Sequence, residues 1–282
     1  MAEIELVNEP MGPAVDMNVL KQFYMDGWGN LMDSHVAITF HDAFKGVTSW
    51  NDWGAGMWAL LLDTHHYQIF DSGSLQMSLQ QHVGTACAFG SQMASNNKWT
   101  ISGEWTGAIT DCAKWLNGLG KGARYDGTFP GSSWIGSCDG KNTGTVAGLS
   151  AADKYNIQHF IEAQLDGFEK AQGWIFWTWK TESAPEWHMK DLLAAGLFPN
   201  PVTSRNRKSR RARLPPRDAL LTLAYSARPV LSILAIITPT QHSSRHRSLA
   251  LPVGCARLRL TKSRPITCDT HVRLPRHRPW IA

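Results

Sequence analysis

Five short apolar or aromatic runs punctuate the chain before Arg205, at residues 4–8, 36–41, 59–66, 99–104 and 174–179. None alternates polar with apolar residues, the pattern of strands covered on both faces, as in a parallel sheet. Helix-like stretches lie between them. Residues 17–32 follow Asp16, a good N-cap, and repeat apolar residues at helical spacing through Leu20, Phe23, Tyr24 and Trp28. Ser150-Ala-Ala-Asp opens another helix, running through Tyr155, Ile157, Phe160, Ile161, Leu165 and Phe168. Strand alternating with helix predicts an α/β fold. Asn8-Glu9, His41-Asp42, His65-His66-Tyr67, Glu104-Trp105 and Trp177-Thr-Trp179 gather where these runs end. Polar and aromatic groups at strand C-termini are the pattern of a (β/α)8 barrel site. Five strands are too few to close one, so the expectation is its second part, strands four to eight, with three strands preceding Met1.

Composition divides the chain at Arg205. Residues 1–204 carry 21 Asp+Glu against 11 Lys+Arg, a net of −10; residues 205–282 carry 17 Lys+Arg against only Asp218 and Asp269, a net of +15. The acidic part gives phosphate backbones no electrostatic attraction, so nucleic acid is not an expected partner. It also holds 12 of the 13 Trp. Most indoles fill cores, and those left over can stack on the C–H face of a sugar. The segment from Arg207 to Arg213 opens an Arg/Pro-rich tail without sustained periodicity, expected to be irregular. Its most apolar stretch, 219–237, is broken by Arg228-Pro229 and is too short to span a bilayer.

Five cysteines leave at least one without a partner in the chain. Cys112 and Cys138 flank a Gly-rich stretch that a disulfide could close, which implies an oxidising compartment. No Cys/His cluster has zinc spacing, so neither a metal nor another cofactor is expected. The first residues lack the basic and apolar regions of a signal peptide.

Glu9 and Glu104 are the carboxylates placed for chemistry. Cleaving a glycosidic bond needs one carboxyl group that donates a proton and another, ionised, that attacks or activates water. Pro10 stops strand pairing after Glu9 and fixes the turn. Gly103 gives Glu104 room for close approach, and Trp105 helps exclude water. Alone, either Glu reads as an ordinary strand-end surface residue; the two together, three strands apart, are the stronger signal.

Asn8-Glu9-Pro10 resembles the Asn-Glu-Pro motif of glycoside hydrolase family 5. The segments 4–13, 63–70, 103–118 and 173–187 resemble, in order, the fungal exo-β-1,3-glucanases of that family, and the likeness extends over residues 3–204. The resemblance implies hydrolysis of β-1,3-glucan from chain ends, releasing glucose by a retaining double displacement. It casts Glu9 as acid/base and Glu104 as nucleophile. Asn8 would bind the sugar 2-hydroxyl, His65 would line the subsite of the cleaved glucose and Tyr67 would hold Glu104. Trp177 would be the platform under that glucose and Phe70 part of a clamp on the next sugar. His66 reads better as a packed structural histidine. The family is extracellular or in the cell wall, and a full-length member is expected to be a monomer. The resemblance leaves Cys87 without its usual partner; Cys255 and Cys268 remain open as substitutes.

Without the first strands, the chain by itself is expected to be inactive. An endo-acting β-glycosidase of the same family, such as a β-1,6-glucanase, is the nearest alternative. A non-catalytic carbohydrate-binding remnant, stacking sugars on Trp177, Trp105 and Tyr67, is a second.

Overall fold

The computed structural model describes residues 3–205 and Cys268. A second unit, Asn206–Pro265, lies wholly outside the described residues, and with it the basic run from Arg207, the 219–237 stretch and Cys255.

The described residues form an α/β fold on one five-stranded parallel sheet: β1 (Glu3–Glu5), β2 (Ala37–His41), β3 (Leu60–His66), β4 (Trp99–Trp105) and β5 (Gly173–Trp174). The strands lie side by side in chain order. Helices α1 (Met17–Leu31), α2 (Ser72–Leu75), α3 (Leu79–Ser95), α4 (Ala151–Phe168) and α5 (Met189–Ala194) occupy the connections and the end of the described body. All five residues of β2, and all but one of β3, are buried, as in strands covered on both faces. Ile38, Phe40, Leu60 and Leu62 join Tyr24, Ile161 and Leu165 in one core. The intervening residues Thr39, His41, Asp63 and His65 belong to the opposite face, by the two-residue period of a strand.

Helix starts follow local chemistry. Asp16 accepts the N–H groups of Asn18 and Val19 at the head of α1, and Ser150 accepts that of Asp153 at the head of α4. Ser78 and Gln81 form a reciprocal capping box at α3. Gly90 of α3 and Gly167 of α4 let the two backbones approach without side chains between them.

Two expected strands are shorter than their apolar runs. The Leu6 N–H still reaches the Thr39 carbonyl at 3.0 Å, but β1 then gives way to a turn that carries Glu9. Only Gly173 and Trp174 pair in regular register, although Ile175 and Trp177 still donate to Ser102 and Trp105. No described helix is long and apolar enough to cross a membrane.

The long connection after β4 is held by covalent and polar anchors. Cys112 is bonded to Cys138 within it, as expected; the other described disulfide joins Cys87, on α3, to Cys268. The fully buried Asp111 accepts the N–H groups of Arg124 and Tyr125 at 2.8 and 2.9 Å, and Asn117 Nδ2 at 2.9 Å.

Candidate active site

The C-terminal ends of β1, β3 and β4 converge on one cluster. Glu9, three residues beyond the last β1 contact, has φ +46°. A non-glycine residue in the left-handed region, and directly before a proline, is held there against its preference, at roughly 1–3 kcal/mol. That turn aims the Glu9 carboxylate at His65, whose Nδ1 lies 2.6 Å from Glu9 Oε1.

His65 is the hub. Its other nitrogen, Nε2, faces Asp63 Oδ2 at 3.3 Å, and Glu104 Oε2 lies 3.5 Å from Nδ1. An imidazole whose two nitrogens both face carboxylates donates from both and is therefore charged. Burial by itself would lower the His65 pKa; the hydrogen bonds to Asp63 and Glu9 and the charges of Asp63 and Glu104 raise it to about 9. His41 packs edge-on against His65 at 4.5 Å between ring centres. Burial, and then the His65 cation, lower its pKa to about 3, so it is neutral. Its Nδ1 accepts the Ala43 N–H at 3.0 Å.

Tyr67 donates its hydroxyl to Glu104 Oε2 at 2.8 Å. Burial raises the pKa of Glu104, while the Tyr67 hydrogen bond and the His65 charge oppose that rise. Burial and the Glu104 charge push the Tyr67 phenol up, which keeps it a donor. Glu5, on β1, keeps part of its surface open to solvent, but desolvation of its carboxyl and the Asp63 charge raise its pKa to about 7. Because Glu9 Oε1 and Glu104 Oε2 share His65 Nδ1 as a neighbour, at 2.6 and 3.5 Å, those oxygens can be no more than about 6 Å apart. That is within the range over which two carboxyl groups act on one sugar ring.

The structure therefore brings together Glu9, Glu104, His65 and Tyr67. Phe70 stands edge-on to Tyr67 at 5.5 Å and is exposed. Trp177 is 48% exposed beside an open cleft of about 480 Å³ that Trp115, Thr181 and Trp187 also line. Asn8 is exposed next to Glu9. His66 lies outside the cluster, stacked on Phe89 at 4.0 Å, in keeping with a structural role. Glu9, His41 and His65 offer one ligand atom each within 4.8 Å of one another. Both nitrogens of His65 and Nδ1 of His41 are already committed, so this arrangement suits a proton network better than a cation.

Sequence reasoning missed the role of Asp63 and the proximity of Glu5. Asp63 was legible in principle: an acidic residue two positions before His65, and so on the same strand face, inside an apolar run.

No family model matches the chain. Among curated proteins, the glucan 1,3-beta-glucosidase of Blumeria graminis is 54% identical over 208 residues, covering 72% of this chain and 49% of that protein. The chain is homologous to the fungal glucan 1,3-beta-glucosidases. Another such glucosidase, from Lachancea kluyveri, is 45% identical over 212 residues, covering 72% of this chain and 48% of that protein. A probable glucan 1,3-beta-glucosidase A of Aspergillus niger is 48% identical over 206 residues, with 72% and 49% covered. The chain thus spans about half the length of the glucan 1,3-beta-glucosidases it matches. Among solved structures, a rutinosidase from Aspergillus niger aligns with a TM-score of 0.43 at 17% identity, over 69% of this chain and 51% of that one.

Proposed function

We propose that the cluster at Glu9 and Glu104 is the acid/base and nucleophile pair of a retaining β-1,3-glucan hydrolase that releases glucose from chain ends. The observation that carries this reading is the shared contact with His65, which limits the two nearest carboxylate oxygens to about 6 Å. That bound admits the roughly 5–5.5 Å between the carboxyl groups of a retaining pair, and the anomer released decides the stereochemical outcome.

In this reading Glu104, held by Tyr67, attacks the anomeric carbon while Glu9 gives its proton to the departing oxygen. Glu9 then takes a proton from the water that frees the sugar. The His65 cation beside both groups stabilises the carboxylate charge as it moves from one residue to the other. Asn8 binds the 2-hydroxyl, Trp177 supports the cleaved glucose and Phe70 flanks the next unit. The described sheet is the second part of a (β/α)8 barrel, strands four to eight. On this reading a closed barrel needs further strands, and the chain spans about half the length of the glucan 1,3-beta-glucosidases it matches. Homology to fungal glucosidases and the two disulfides support an extracellular setting.

The test uses the completed enzyme: this chain joined to the part of the Blumeria graminis homologue that the match leaves uncovered. Laminarin should yield glucose alone. Glu9→Gln should lower the rate by about 10²–10⁴-fold, and Glu104→Gln should abolish turnover. Near-normal hydrolysis by Glu104→Gln refutes the assignment, and mixed oligosaccharides in place of glucose refute the exo reading.

A further inference from the structure

We propose that Asp63 is a positioning residue that holds both active-site carboxylates in register, Glu9 through His65 and Glu104 through the backbone of Gly103. The proposal rests on the hydrolytic reading only in calling those carboxylates catalytic. Asp63 sits inside β3, 4% exposed. Its Oδ1 accepts the Gly103 N–H at 2.6 Å, immediately before Glu104. Its Oδ2 faces His65 Nε2 at 3.3 Å, and His65 Nδ1 donates to Glu9 at 2.6 Å. One buried carboxylate thus reaches both members of the pair, each through a single intermediary.

Two further features fit this role. A Cβ at position 103 would collide with the Asp63 carboxylate, so the glycine makes the contact possible. The β3–β4 ladder shifts register between Thr64 and His65, which sets His65 opposite Glu104 instead of Gly103. A bulge of this kind re-aims side chains beside a site. A buried carboxylate is costly unless it is paired, and Asp63 has both a backbone donor and an imidazolium.

The groups facing His65 are Glu5 and Glu9 from the β1 segment, the neutral His41 and Asp42 from β2, Asp63 from β3 and Glu104 from β4. Of these carboxylates, only Asp63 lies within hydrogen-bond distance of Nε2. Replacing it with Asn keeps an acceptor for Gly103 but removes the charge. The new amide N–H would then face Nε2 and favour a neutral ring.

The experiment is a titration of the full chain carrying ¹⁵N-histidine, with His65→Gln supplying the assignment. At pH 7 both ring nitrogens of His65 should be protonated, with a midpoint near 9. Asp63→Asn should lower that midpoint by about 1–3 pH units, and Asp63→Glu should restore part of the shift. An unchanged midpoint in Asp63→Asn overturns the proposal. So does a bare Nε2 on wild-type His65 at pH 7, a result that decides the matter even if the variant fails to fold. Because the readout is a ring proton, loss of the glycosidase assignment would leave this result standing. Conversely, hydrolysis that depends on Glu104 while His65 ignores Asp63 would remove this inference alone.

Discussion

Tyr67 shows how one hydrogen bond can bear on the ionisation of the proposed nucleophile, Glu104. Its hydroxyl, 2.8 Å from Glu104 Oε2, lowers a pKa that burial raises. Tyr67→Phe removes the lowering contribution, so the folded pKa of Glu104 should climb further. Since attack needs the ionised form, the acidic limb of the kcat/KM profile of the completed enzyme should move to higher pH. An unmoved limb would mean that Tyr67 does not control this carboxylate. Glu9, Glu104, His65 and Tyr67 were legible in the sequence because each stands where an apolar run ends, the place where a parallel sheet exposes polar groups. Asp63 offered only a weak local signal, an acidic residue on the His65 face of its strand, because its full role depends on a register shift between two strands that no local pattern encodes.

Elements were legible where capping and periodicity agreed. Helix α1 begins behind Asp16 and α4 behind Ser150, within the spans their sequences suggested. Helix α3 was not anticipated; its signal was the Ser78–Gln81 capping box, followed by a mixed run of small and polar residues. Strands β1 and β5 are shorter than the apolar runs that announced them, because apolar character marks burial and not ladder pairing. The contact between α3 and α4 depends on two small residues. A Cβ at Gly90 would run into the backbone of Gly167, and one at Gly167 would press on the Ala86 carbonyl at 2.8 Å. Backbone cannot yield as a flexible side chain can. Despite the better helix propensity of alanine, Gly90→Ala should therefore destabilise the fold by about 1–3 kcal/mol. Urea unfolding measures this directly, and an unchanged or raised midpoint would show that the helices can separate at little cost.

For the molecule as a whole, the sequence disclosed the parallel α/β architecture, the change in charge at Arg205 and the Cys112–Cys138 bond. The Cys87–Cys268 bond joins residues 181 apart in sequence, and nothing around either cysteine announced the other. Among the described residues the sheet has β1, whose three residues are exposed, at one edge and the two-residue β5 at the other. Exposed strand edges are a liability that barrels remove by closure. The chain also spans only 49% of its Blumeria graminis homologue, and together these observations motivate the completed enzyme as the assay form. The most direct test of the central claim is covalent trapping in that enzyme. A 2-deoxy-2-fluoro-β-glucoside with a good leaving group should inactivate it, leaving one sugar on the peptide that contains Glu104, while ordinary turnover releases the β-anomer first. Label on any other residue, or initial release of the α-anomer, would contradict the assignment of Glu104 as nucleophile.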